Sequence, residues 1–315
     1  MTEVQSAVAA DHLEIYGTDG DDHLVVPAND DWNHVEAYTG SDLIEVDQGN
    51  TGHVNIWLGD GGDTVHGGPG SESLRLWDEA RIGDTRFHGG AGDDYAAIYR
   101  GAGPDIFFDG GDGKDILSLG GRGVFVHLEN GTALIGLMDE PGVFVEATVL
   151  NFEDAYGSSG HDILVGTDRG SRLAGYGGDD LLSGRGGTDR LEGSDGDDIL
   201  VGGRGADGLL SGRGADIIRI DRLVESLPGQ EDTILDFTFR DTIDLSRIDA
   251  DPAAPDDQAF AFIGAAAFSG TAGELRYEAM GADLLVSADA NGDRVADLAV
   301  KVRDLTQLAA SDFIL

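Results

Sequence analysis

The chain has 315 residues, with 60 acidic side chains against 20 basic ones, a net charge of −40 and a pI of about 4.1. Aspartate supplies 45 of the acids, glycine accounts for 50 residues, and cysteine is absent. Such a charge excludes a basic footprint for nucleic acid and attraction to an anionic membrane surface, and the missing cysteine excludes disulfides, thiolate metal sites and thiol nucleophiles.

Hydrophobic residues still make up 40% of the chain, so a core can form once the carboxylates are neutralised. The bias toward aspartate fits tight turns and the binding of hard cations. No apolar stretch is long enough to span a bilayer as a helix. The first 17 residues lack a basic segment followed by an apolar run, so no ordinary signal peptide is expected.

Residues 1–118 carry a recurring pattern of a glycine-rich turn, an acid, and a few strand-forming residues. The acids are Asp22, Asp42, Asp63, Asp94, Asp105 and Asp115, with Glu72 standing in the aspartate place of one copy. Their spacing drifts between 9 and 22 residues. Irregular coils with outward loops are expected there, with fewer or weaker ion sites. Glu72, one methylene longer, fits a ligand position less well. Trp32, Trp57, Trp77, Tyr95, Tyr99, Phe107 and Phe108 also gather in this half, near Arg75, Arg81, Arg86 and Arg100. Core and rim packing explains such aromatics most simply. A carbohydrate-binding or catalytic face is the sharper alternative. His12, His23 and His34 recur every 11 residues, as solvent-facing strand positions would, although a metal stripe is conceivable.

The register lapses over residues 119–156, where Val124, Val126 and Leu128 alternate as in a strand. Residues 157–219 then divide without a gap into seven nine-residue pieces. Position six is Asp162, Asp180, Asp189, Asp198, Asp207 or Asp216, with Ser171 in the second piece. Position eight is always apolar: Leu164, Leu173, Leu182, Leu191, Leu200, Leu209 and Ile218.

Glycine at positions one and four is expected to give the turn its positive φ. The following three residues suit a short strand with position eight inward. Two pieces make one flat coil, and stacked coils give two parallel sheets around a thin aliphatic interior. Each edge then presents a ladder of aspartate carboxylates and turn carbonyls. Oxygen ligands at that density suit Ca²⁺ better than Zn²⁺ or Mg²⁺.

These pieces resemble the glycine-rich nonapeptide of RTX proteins. The resemblance implies an all-β chain: a calcium-filled parallel β-roll with a C-terminal β capping domain. Residues 119–156 resemble the connecting module between RTX blocks. Residues 220–315, through the segments 241–246, 268–273 and 289–297, resemble the C-terminal domain of serralysin-type metalloproteases. The end of the chain, Asp312-Phe313-Ile314-Leu315, resembles an uncleaved type I secretion signal, which implies the type I secretion machinery as a partner and an extracellular destination. The loop from Asp289 to Asp297 has EF-hand-like spacing, but its twelfth position is Val300, so a hairpin turn is expected.

No two histidines lie four residues apart, so the zinc helix of a serralysin protease is missing. The nucleophile elbow of a lipase is missing too. A secreted, calcium-folded, non-catalytic protein with a surface, matrix or interaction role is the leading expectation, with an extracellular polysaccharide or cell-surface component as its further partner. A uronate epimerase or lyase built on the first-half coils is the alternative. Counting alternate turns on two edges gives roughly five ions in the regular block.

Overall fold

The structure is a computed structural model that describes residues 5–9 (backbone only), 12–76, 84–98, 106–136 and 144–315. The chain is almost wholly β and divides into two compact units, residues 1–160 and 161–315.

In the first unit one sheet runs through His12–Tyr16, Trp32–Ala37, His53–Leu58, Ser71–Leu76, Tyr95–Ile98, Ile116–Leu119 and Asp154–Tyr156, all parallel. Gln5–Ala9 pairs antiparallel with the first of these. The facing sheet runs through His23–Val26, Leu43–Val46, Thr64–His66, Arg86–Ala91, Ile106–Asp112 and Phe144–Leu150. Residues 119–156 supply that last strand and an antiparallel hairpin, Val124–His127 with Thr132–Gly136, added beside it. Val124, Val126 and Leu128 are buried, as their alternation predicts.

In the second unit one sheet contains Arg172–Gly177, Arg190–Asp195, Gly208–Arg213 and Asp232–Ile234, then Leu298–Val302. Asp283–Asp289 and Glu274–Met280 continue it antiparallel. The other sheet is parallel throughout: Ile163–Val165, Leu181–Gly186, Ile199–Arg204, Ile217–Arg219, Thr242–Asp244 and the terminal Phe313–Ile314.

Strands so short have room for at most three inward side chains each. The core is therefore a set of aliphatic columns, one residue per coil. Leu164, Leu182, Leu200, Ile218 and Ile243 stack in register along one sheet, and Leu173, Leu191, Leu209 and Ile234 along the other; all are buried. A hole in such a column has no neighbouring layer to relax into it. Leu200→Ala is expected to cost about 2–5 kcal/mol in urea unfolding of the Ca²⁺-loaded protein.

The loop after Asp289 is a turn. Asp289 accepts backbone N–H groups from Asn291, Gly292 and Arg294, and Asp297 accepts that of Ala290. These carboxylates are engaged in holding the hairpin, as the loop's non-acidic twelfth position suggests.

Candidate metal centre

Each turn delivers its position-six acid to the same place: just before a strand, buried, at the edge of the sheet. From there the backbone N–H of one acid donates to Oδ1 of the acid one coil further on. In the second unit Asp162, Asp180, Asp198 and Asp216 form one such ladder, with N···Oδ1 distances of 2.8, 2.9 and 2.9 Å. Ser171, Asp189 and Asp207 form the ladder on the opposite edge, at 2.6 and 2.8 Å. In the first unit Asp22, Asp42 and Asp63 make one edge. Glu72, Asp94 and Asp115 make the other.

The second oxygens carry the chemistry. Oδ2 of Asp42, Asp63, Asp94, Asp115, Asp180, Asp189, Asp198, Asp207 and Asp216 is buried and takes no hydrogen bond. Both Oε atoms of Glu72 are buried as well. A buried anionic oxygen left without a partner is strongly unfavourable, and a bound cation at each such turn would relieve it. Among the described residues no three acidic or histidine side chains converge on one point. The carboxylates come one or two to a turn, so backbone carbonyls would supply the rest of the shell. That donor set fits Ca²⁺, which takes six to eight oxygens in flexible geometry.

Glycine at position one clears the space for these oxygens. A Cβ on Gly175, Gly184, Gly193 or Gly202 would stand 2.0, 2.3, 2.3 or 2.5 Å from Oδ2 of Asp180, Asp189, Asp198 or Asp207, five residues on. This corrects the sequence reading, which gave position one a positive φ. The positive φ falls at positions two and four: Tyr176 at 75°, Arg185 at 78° and Ser194 at 86°, then Gly178 at 102°, Gly187 at 103° and Gly196 at 145°. In these four pieces position one is glycine because a carboxylate, and at Gly184 and Gly193 also a backbone carbonyl of the next coil, stands where a Cβ would go; the last piece, at the end of the block, carries Ser211 there.

Residues 134–315 match the family model of the peptidase M10 serralysin C terminal, and residues 39–71 match that of the RTX calcium-binding nonapeptide repeat. The first match covers more than half of the chain. The protein belongs to the serralysin C-terminal family. Its repeats make it an RTX β-roll protein, and RTX nonapeptides bind calcium. A search of curated proteins gave no match. The repeat-model match falls in the looser first half of the RTX roll, where the sequence predicted weaker sites, and there too the second oxygens of Asp42 and Asp63 are buried without a partner.

Burial dominates the electrostatics of this roll. It pushes Asp63 and Asp189 up to about 7, Asp180 up to about 8, and Asp115 and Asp198 up to about 6. Asp42 and Asp216 are raised for the same reason. Glu72 with Asp94, and Asp207 with Asp232, are adjacent buried acids, all raised by burial; the charge of Glu72 further raises Asp94, and that of Asp207 raises Asp232.

The ladders also contain acids that the repeat spacing missed. Glu153 accepts the N–H of Asp115 at 2.9 Å, Asp232 that of Asp207 at 3.0 Å, and Asp241 that of Asp216 at 3.2 Å. Asp232 and Asp241 stand 25 residues after their partners instead of 18, so a strict nonapeptide frame passes over them. The usable signal is an acid followed two residues later by an apolar one: Asp232 before Ile234, Asp241 before Ile243. The ladder closes where hydrogen bonds saturate its acids. Asp241 Oδ2 accepts the Thr238 N–H, and Asp236 accepts those of Ser211 and Gly212. In the first unit, where Asp22 begins its ladder, Asp22 Oδ2 accepts both the N–H and the hydroxyl of Thr18.

Asp105 lies outside the described residues, as do Trp77, Arg81, Tyr99 and Arg100. By strand register, the rung above Asp63 is Thr85 and the next is Ile106, so the aspartate ladder on that edge ends at Asp63. The histidines do not form one stripe. His12 and His34 sit on one sheet beside Glu14 and Glu36, whereas His23 sits on the other, 2.6 Å from Glu45. Arg86 lines a shallow polar cleft with Ser41, Thr64 and Asp84, and Arg75 lies 6.0 Å over the Tyr95 ring.

Proposed function

We propose that this is a secreted protein that folds on extracellular Ca²⁺ after type I export and serves a non-catalytic surface, matrix or interaction role. The observation that carries the reading is the row of buried aspartate oxygens without hydrogen-bond partners. At cytosolic Ca²⁺ the carboxylates repel one another and the chain stays extended and exportable. At millimolar Ca²⁺, the range in which extracellular modules work, each ion brings two positive charges to a turn, and its binding free energy becomes folding free energy. Five of the unpartnered oxygens, on Asp180, Asp189, Asp198, Asp207 and Asp216, lie in the regular block, in keeping with roughly five ions there.

The tail fits the same scheme. Phe313 is buried, packs 5.0 Å from the Phe262 ring and pairs with Ile243. A type I signal formed by Asp312, Phe313, Ile314 and Leu315 would thus be readable while the chain is unfolded and would be absorbed into the sheet afterwards. Among the described residues no helix is long and apolar enough to cross a membrane.

Circular dichroism tests this directly. The chelated chain at neutral pH should give a largely unordered spectrum and gain β signal with millimolar Ca²⁺, Mg²⁺ being a poor substitute. A spectrum indifferent to chelator would overturn the proposal.

A further inference from the structure

The outward face of one sheet in the first unit is paved with rings that the roll does not need. His12 lies edge-on to Trp32 at 5.4 Å, Trp32 stacks parallel to His34 at 6.0 Å, and His34 lies edge-on to Trp57 at 6.1 Å. Register pairs His12 with Trp32, His34 lies two residues on in the same strand, and Trp57 lies diagonal to it on the third coil. Trp32 is 42% exposed and Tyr38 39%. The sequence reading favoured core or rim packing for the aromatics. Phe87 and Phe108 do lie in the core, but Trp32 does not.

The second unit is a built-in comparison. Its equivalent outward positions carry Arg172, Ala174 and Tyr176, then Arg190, Glu192 and Ser194, then Gly208, Leu210 and Gly212, so that Tyr176 is a single exposed ring with no ring beside it in register. The same architecture therefore stands without a ring platform. Exposed rings gathered on one face of a soluble protein mark a binding surface.

Polar groups are fixed among the rings. Glu14 accepts the Tyr16 hydroxyl at 2.9 Å and lies 3.2 Å from His12 Nε2, and His34 Nε2 lies 3.1 Å from Glu36 Oε1. Flat rings interleaved with paired donors and acceptors match a pyranose, whose C–H face stacks on an aromatic ring while its hydroxyls both donate and accept. Coils repeat about every 4.8 Å, close to the advance of one sugar along an extended glycan. Two carboxylates within the platform, on a chain of net charge −40, disfavour uronate or sulfated polymers.

We propose that this face binds a neutral, hydroxyl-rich polysaccharide laid across the strands. The proposal rests on the calcium-folded reading and names the ligand class of its surface role. Affinity electrophoresis of the full-length, Ca²⁺-loaded protein through gels containing a neutral β-glucan, a galactomannan or alginate tests it. At least one neutral polymer should retard the protein and alginate should not. Trp32→Ala and Trp57→Ala should each weaken binding about tenfold without changing the Ca²⁺-dependent β signal, while Trp32→Tyr should keep most of it. No retardation by either neutral polymer, retardation by alginate, or full binding by Trp32→Ala would each overturn the proposal. If the β signal appears with Ca²⁺ but no glycan binds, the platform fails and the calcium reading stands. If the β signal never appears, both fail.

Discussion

Stripped of divalent cations, the protein should be more stable at pH 5 than at pH 8, and millimolar Ca²⁺ should reverse that order. The reason is the direction in which burial moves the ladder acids. In the unfolded chain an aspartate titrates near pH 4. In the folded, ion-free roll, Asp115 and Asp198 titrate at about 6, Asp63 and Asp189 at about 7, and Asp180 at about 8. A carboxylate whose folded pKa is raised favours folding while it is protonated. That contribution is fully present below about pH 4 and is lost as pH rises through 6 to 8.

One unit on one group is about 1.4 kcal/mol. Several such groups moving together therefore rival the whole ~5–15 kcal/mol margin of an ordinary domain. Calcium requires the deprotonated form, so its affinity grows over the same interval and binding releases protons. Circular dichroism from pH 5 to pH 8.5 should show a β signal that falls with pH in chelator and is kept or rises with pH in Ca²⁺. A β signal that climbs with pH in chelator would show that the ladder is not buried as described.

Gly193→Ala should be nearly as damaging to calcium binding as Asp198→Ala, whereas Gly208→Ala should be tolerated. A Cβ at Gly193 would stand 2.3 Å from Asp198 Oδ2 and 2.5 Å from the Ser211 carbonyl. The carboxylate would have to leave the position where it faces the ion. Overpacking of this kind typically costs about 1–3 kcal/mol, and the displaced carboxylate loses its ligand geometry as well. At Gly208 the nearest atoms are 3.8 and 3.9 Å away, ordinary contact, and the backbone there needs no left-handed φ. Alanine at that site could even stabilise the roll by about 0.4–1 kcal/mol, by restricting the unfolded chain. Calcium titrations and urea midpoints of the three variants should separate them cleanly. Equal behaviour of Gly193→Ala and Gly208→Ala would mean that glycine serves the turn backbone alone. Asp257→Ala, outside the ladders, is a neutral reference.

The regular block was legible because its period is short and strict. Position eight runs without exception from Leu164 to Ile218, and an uninterrupted register admits one stacking arrangement. The acids Asp232, Asp241 and Glu153 were not legible. Their coils carry inserted residues, and an insertion shifts the count along the chain without shifting the rung in space. Asp63 marks the opposite case. Beyond it the strand pairing puts Thr85 and Ile106 on the next rungs of that edge, so the acids stop there although the coils continue.

Glycine shows the same limit. The sequence identifies where it recurs, but only the packed neighbour explains position one. There the constraint, from Gly175 to Gly202, is a carboxylate five residues away, joined at Gly184 and Gly193 by a carbonyl of the next coil, and not a dihedral angle. The surface rings of the first unit were visible only as composition, because which side of a strand a tryptophan occupies depends on register. Composition and period by themselves determined the parallel roll, its aliphatic columns and its need for an oxygen-loving cation. Tertiary structure alone decided which acids share an edge, which carboxylate oxygens are left unpartnered, and that Trp32 faces outward. Those properties belong to distances between coils, and the chain order carries no record of such distances once loop lengths vary.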